Sequence, residues 1–175
     1  MPGTSLTAVA RPATSADASR VAEICVTAYR TAYRELLPPG YIDRTVAVYF
    51  GAERVARQVP ADPPRWFGYQ VAEEGGRLVG AAGGGLTGPG VGELYLIYLD
   101  PRERHRGLGT LLLNRVIEQI RAAGGTEVWL SVFLGDAAGI GFYRSRGFQP
   151  METVQAGLSR ADDHIRSLRM RRLLD

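Results

Sequence analysis

The stretch Leu94-Tyr95-Leu96-Ile97-Tyr98-Leu99-Asp100-Pro101, followed after two residues by Arg104-His105-Arg106-Gly107-Leu108-Gly109-Thr110, decides how this chain is read. Six apolar or aromatic residues run into Asp-Pro, as a strand does on reaching a turn. Beyond the glycines, Leu108, Leu111, Leu112, Val116 and Ile120 recur at helical spacing. A strand thus delivers the backbone to a glycine-bearing turn, and a helix begins at once. The first N–H groups of a helix have no partner inside it, and its dipole places partial positive charge there. Glycine lets an anion come close to the backbone, and Arg102, Arg104 and Arg106 add full charges. A diphosphate suits such a turn.

Two familiar phosphate motifs fail here. A dinucleotide fingerprint needs a third glycine near position 112, which is Leu112. A P-loop needs a lysine, and all 21 basic residues are arginine. The same lack excludes Schiff-base lysine chemistry. Cys25 is the only cysteine, so neither an internal disulfide nor a cysteine-built zinc site can form. His105 and His164 lack metalloprotease spacing, and no metal is expected. The net charge of +3 is mild, and the run from Arg102 to Arg106 has no interleaved aromatics, so nucleic acid is not the expected partner. No apolar run approaches the roughly 20 residues of a membrane span. No signal peptide is read at the start, and a cytoplasmic location follows by elimination.

Outward from the turn, 175 residues with 45% hydrophobic content suit one soluble domain, residues 1–5 being a loose leader. Leu6–Arg11 reads as a strand. A helix then runs from about Ser15 to Tyr33 and a second from Tyr41 to about Val59, with Pro38-Pro39-Gly40 between them. From Trp66 the period changes to two: Trp66–Glu73 and Arg77–Leu86 form a hairpin about Glu74-Gly75-Gly76. Gly83-Gly84-Gly85 inside a strand marks a bulge or the close approach of another backbone. Val91–Leu99, the helix from Gly107 to about Ala123, the strand Thr126–Val132 and the helix Ala137–Arg146 follow. Phe148–Val154 and Ile165–Leu173 close the chain as strands. The fold class is α/β: a single-domain, mixed and mostly antiparallel twisted sheet of about seven strands, with four helices.

Arg104, Gly107 and Gly109 meet the pattern [Q/R]-x-x-G-x-[G/A], while Phe142, Tyr143, Gly147 and Phe148 meet the downstream F-Y-x-x-x-G-F. On these motifs the chain resembles the GNAT superfamily of N-acetyltransferases, in element order from Leu6 onward and specifically from Glu93 to Phe148. Asp136 stands where that family often has asparagine, and Gly139 where it often has alanine. The resemblance implies an acyl-CoA N-acyltransferase fold splayed between the fourth and fifth strands. Acetyl-CoA would be the co-substrate. Its pantetheine arm would lie in the splay on the main chain of Ile97 and Leu99, near Asp136, and its diphosphate on the backbone of Arg104, His105, Arg106, Gly107, Leu108, Gly109 and Thr110.

Acetyl transfer to an amine needs the ammonium to lose a proton, the oxyanion to be stabilised and the thiolate to be protonated. Tyr143 resembles the family's general acid. Glu93, 11 residues before Arg104, has the offset of the catalytic glutamate in the histone-acetyltransferase branch. Two readings of Glu93 stand open, a general base and an exposed strand-end carboxylate. Tyr29, Tyr33 and Glu35 stand near the turn where relatives line the acceptor cleft, and a tyrosine-rich packing face reads equally well there. Cys25, on a helix face with Val21 and Ile24, reads as core. The run Arg166–Arg172 reads as a solvated face, a homodimer contact or help for an acidic ligand. A small-molecule amine is the expected acceptor, with a protein N-terminus or lysine as alternative. A non-catalytic acyl-CoA sensor is the reading from another class.

Overall fold

The computed structural model describes residues 7–103 and 105–175. Among them, seven strands form one sheet: β1 (Val9–Pro12), β2 (Gln70–Glu74), β3 (Arg77–Gly88), β4 (Val91–Leu99), β5 (Glu127–Phe133), β6 (Gln149–Gln155) and β7 (Arg166–Leu173), in spatial order β1-β2-β3-β4-β5-β7-β6. Every neighbouring pair is antiparallel except β4 with β5. Five α-helices cover it: α1 (Ala18–Tyr33), α2 (Pro39–Tyr49), α3 (Ala52–Gln58), α4 (Leu108–Ala122) and α5 (Ala137–Arg144).

Each face of the sheet has its own apolar layer. Val21, Ile24, Cys25 and Tyr29 of α1, with Tyr41, Ile42 and Val55 from α2 and α3, pack against Val71 and Ala81. Leu108, Leu112, Leu113, Val116, Ile117 and Ile120 of α4 pack on Val79, Ala82, Val128, Leu130 and Met170 of the opposite face. The buried stripe of α4 is broader than the expected one by Leu113 and Ile117, while Leu111 is only partly covered.

Leu6 lies outside the described residues and most element ends fall within a few residues of the sequence reading, but two differences are larger. The helix expected over Tyr41–Val59 is two helices, because Phe50 leaves helical geometry (φ −120°, ψ 13°) to bury its ring, and Gly51 opens α3. The described residues therefore hold five α-helices rather than four. The strand expected from Trp66 becomes regular only at Gln70. Its first part bonds to β3 irregularly, with Phe67 N–H donating to the Gly84 carbonyl and Leu86 N–H to the Pro64 carbonyl. The Trp66 indole N–H meanwhile donates to the Gln58 carbonyl at 2.6 Å, turning its ring over Gly83.

That arrangement explains the triple glycine. The β3–β4 register shifts between Gly83 and Gly84, so Tyr95 is an extra residue on β4. A Cβ on Gly83 would strike the Trp66 ring, and one on Gly85 would strike the Arg65 carbonyl oxygen. Gly88 faces open space. Gly85→Ala should therefore lower unfolding stability by about 1–3 kcal/mol, and Gly88→Ala by much less. Urea titration of both proteins checks this, and equal midpoints would contradict the close approach.

Candidate active site

β4 and β5 pair over only three rungs, Val91–Glu127, Gly92–Val128 and Glu93–Trp129. Beyond Glu93 they part. β4 stays with β3 as far as Leu99–Gly80, and β5 stays with β7 as far as Phe133–Ser167. The facing edges of Leu94–Leu99 and Leu130–Phe133 thus bound a V whose apex is the Glu93–Trp129 rung. The bulge at Tyr95 resets the alternation along one wall. Leu94, Ile97 and Leu99 enter the layer under α4, while Leu96 and Tyr98 enter the one under α1. On β5, Val128, Leu130 and Val132 face α4, so Trp129, Ser131 and Phe133 face the other way.

The open end of the V leads to the start of α4. Gly107 is its N-cap in the left-handed region (φ 77°), and no side chain caps the helix. A Cβ on Gly107 would meet nothing within 4 Å, so the space before the first turn is clear. His105 is also left-handed (φ 63°) and exposed. Gly109 has a different purpose from the one expected: a Cβ there would lie 3.1 Å from the Phe142 ring, so this glycine lets α5 approach α4.

Two arginines of the turn, Arg102 and Arg106, are paired with carboxylates. Arg106 donates to Glu74 at 2.5 and 2.8 Å and to Glu103 at 2.5 Å, and Arg77 donates to Glu103 at 2.6 Å. Arg102 forks onto Asp100, which also receives Arg20 at 2.8 Å. Arg102, and then Arg20, hold the buried Asp100 carboxyl well below the usual carboxylate range. These pairs tie the turn to β2, β3 and α1. Arg104 lies outside the described residues.

A cation absent from the sequence reading reaches the start of α4. Arg146 donates to Thr110 Oγ1 through Nε at 2.8 Å and Nη2 at 2.6 Å, on the first turn of α4. Its guanidinium lies 3.7 Å from the Phe142 ring centroid and donates to the Phe142 carbonyl at 2.9 Å. Arg146 is 36 residues from Thr110, and only the packing of α5 on α4 joins them.

α5 is capped where α4 is not. Asp136 Oδ1 accepts from Gly139 N–H at 2.9 Å, so this carboxylate serves the helix that carries Tyr143. A Cβ on Gly139 would collide with Asp136 Oδ2, which explains glycine at that position. Tyr143 is half-buried between the rings of Phe142 and Phe148, at 5.1 and 5.7 Å, in the layer that holds Ile97 and Leu99. Burial, and then the Asp136 charge, push its hydroxyl above the ordinary tyrosine value, so it stays protonated at neutral pH.

On the other face, Tyr29, Tyr33, Phe50, Tyr98 and Phe133 form one aromatic cluster, Tyr33 lying 4.9 Å from Tyr29 and 5.0 Å from Phe133. Tyr29 is a core residue, whereas Tyr33 is half-buried beside the β5 wall of the V. Glu35 is exposed and pairs loosely with Arg34 at 3.5 Å, away from this cluster. Leu36 closes on the turn after β5, since a Cβ on Gly135 would lie 2.8 Å from its Cδ1. Glu93, at the apex, is clamped by Arg169 at 2.5 and 2.8 Å. In the run Arg166–Arg172, Arg169 and Arg171 share one face and meet Glu93 at 2.5 Å and Glu127 at 3.8 Å, while Arg166 donates to the Thr153 carbonyl. Cys25 is fully buried and its thiol is pushed up to about 12.

A parallel-paired V between central strands, opening on an uncapped helix start, defines an acyl-CoA N-acyltransferase fold. Residues 25–148 match the Acetyltransferase (GNAT) family, and the chain belongs to that family. It is 37% identical over 93 residues to mycothiol acetyltransferase of Thermobispora bispora, a match covering 47% of this chain and 31% of that protein. It is 39% identical over 84 residues to N-alpha-acetyltransferase RimI of Mycobacterium tuberculosis, covering 46% of this chain and 51% of that protein. The chain therefore spans about a third to a half of these relatives. The PaiA N-acetyltransferase of Thermoplasma acidophilum, solved in complex with coenzyme A, shares the fold with a TM-score of 0.81 at 18% identity, over 96% of this chain and 99% of that one. No described helix is long and apolar enough to cross a membrane.

Loss of the α5 cap in Asp136→Ala should cost about 1 kcal/mol of stability, and Asp136→Asn clearly less. Thermal melts compare them, and an unchanged Asp136→Ala would contradict the capping role. A thiol with a value near 12 stays protonated up to mildly alkaline pH. Native protein at pH 8 should thus resist iodoacetamide until it unfolds, and rapid native labelling would show that Cys25 is accessible.

Proposed function

We propose that the protein is an N-acetyltransferase that moves the acetyl group of acetyl-CoA to a primary amine of a small molecule, by direct attack with both substrates bound. The observation that supports this best is the parting of β4 from β5 beside an uncapped helix start. An unpaired strand edge takes an extended, amide-bearing arm as it would another strand, and free helix amides take a diphosphate. The clear space at Gly107 and the contact between Arg146 and Thr110 fit such a ligand.

In this reading Ile97 and Leu99 supply main-chain partners to the arm. The amides of Gly107, Leu108, Gly109 and Thr110, with Arg146 beside them and His105 exposed at the rim, hold the diphosphate. Asp136 positions α5, and Tyr143 protonates the departing sulfur. Glu93 takes the amine's proton, directly or through water. A strand N–H within the V stabilises the oxyanion. No covalent acetyl-enzyme is needed, and buried Cys25 is unsuited to one. The acceptor enters from the α1 face past Tyr33 and Phe133, where the Leu36–Gly135 closure narrows the cleft and favours a small amine. A second reading, a protein acceptor, draws support from the [Ribosomal protein bS18]-alanine N-acetyltransferase of Salmonella typhimurium, 40% identical over 55 residues, 31% of this chain and 37% of that protein.

Thiol release from acetyl-CoA across polyamines, aminoglycosides, amino acids and peptides tests the activity, and tight coenzyme binding with no release from any of them would favour a sensor. Tyr143→Phe should lower kcat about 10- to 100-fold, a share of the usual gain from acid–base catalysis, while the coenzyme A affinity from calorimetry stays within about twofold. Equal turnover would remove the acid role. Arg146→Ala should weaken coenzyme A binding about tenfold, the scale of one charge-assisted contact, and unchanged affinity would take Arg146 out of the site.

A further inference from the structure

Glu93 does not stand free at the apex of the V. Its two carboxylate oxygens accept from Nη1 and Nη2 of Arg169 at 2.5 and 2.8 Å, and Arg169 Nη1 also donates to Ser131 Oγ at 3.0 Å. Both side chains are largely covered, at 13% and 22% exposure. The register explains how they meet. Glu93 pairs with Trp129, and Ser131, two residues along β5 on the same face, pairs with Arg169 of β7. Arg169 therefore reaches back across β5, with its guanidinium carbon 5.3 Å from the Trp129 ring centroid, to a carboxylate two strands away. The ion pair spans the middle strand at the last rung before the V opens.

A two-pronged clamp fixes the plane of a carboxylate, which a single lysine-like contact cannot do. An ionised carboxylate offers about four lone-pair sites. Arg169 uses two, and the remaining two are left for an amine or a water. The fork of Arg169 is already spent on Glu93 and Ser131, which argues against its binding an acidic acceptor itself. Tyr95, the bulge residue, stands near the same carboxylate: burial, and then the Glu93 charge, raise its hydroxyl above the ordinary value.

We propose that Arg169 is a positioning residue for acetyl transfer, acting through Glu93 without touching the acceptor. This rests on the N-acetyltransferase reading. In the step it serves, an N–H bond of the acceptor ammonium breaks and its proton passes to a Glu93 oxygen, directly or by one water. Glu93 becomes neutral, the amine keeps the electron pair, and Arg169 retains its own proton.

The test is a double-mutant cycle on the full chain. Wild type, Arg169→Met, Glu93→Gln and the double variant are assayed with the best amine of the panel, and coenzyme A affinity is measured by calorimetry. Arg169→Met should lower kcat/KM about 10- to 100-fold, chiefly in kcat, and Glu93→Gln at least as much. The double variant should fall no further than Glu93→Gln alone, within about twofold, because both changes remove one unit. Arg169→Lys should recover only part of the loss, and coenzyme affinity should hold in all. Losses that multiply in the double variant would overturn the proposal, as would an effect of Arg169→Met confined to the acceptor's KM. If Arg169→Met melts below the assay temperature, Arg169→Lys with Glu93→Gln carries the same cycle. A wild type that neither binds coenzyme A nor releases thiol sinks the activity and this proposal together, whereas an active wild type with multiplying losses sinks only the role of Arg169.

Discussion

Backbone amides and carbonyls inside a protein need partners, and a sheet normally supplies them strand by strand. β4 and β5 break that rule after the Glu93–Trp129 rung. Apart from the bulge at Tyr95, each stays engaged on its outer side, with β3 and β7 respectively, so the unpaired main-chain groups line the inner edges of the V. The rest of the molecule serves this one unmade pairing. α4 starts where the V ends, α5 packs on α4 through Phe142 and Gly109, and the aromatic cluster under α1 lines the opposite mouth.

Holding a sheet open takes devices on both sides of it. The Tyr95 bulge, permitted by the glycines of β3, bends β4 and re-aims its side chains at the apex. Beyond the strand, two carboxylate–arginine groups brace the turn: Arg20 and Arg102 on Asp100, and Arg77 and Arg106 on Glu103 with Glu74. Among the described residues, they pair Arg102 and Arg106 with carboxylates. A basic sequence there builds a rigid frame around a site whose own polarity is that of the backbone.

Much of this is legible in the sequence. The apolar run into Asp-Pro, the glycines after it and the helical stripe of α4 have local causes, and so does the triple glycine. What escaped depended on distant parts of the chain. Nothing near Phe50 shows that its ring leaves the helix to enter the core, so one helix was read where two exist. Arg106 and Arg146 look alike in sequence, yet Glu74 claims the first and Thr110 receives the second. Nothing near Glu93 shows that Arg169, 76 residues later, arrives across β5 to clamp its carboxylate. Nor does the sequence around Glu35 show that its side chain is exposed just beyond the end of α1.

In the proposed enzyme, the amides from Gly107 to Thr110 and the unpaired edge of β4 receive one and the same ligand. Titrating labelled protein with coenzyme A while following backbone amide resonances tests this. Saturable shifts are expected at Gly107, Leu108, Gly109 and Thr110 and along Ile97 to Leu99, all with one dissociation constant. Shifts grouped elsewhere, with these amides unmoved, would contradict it.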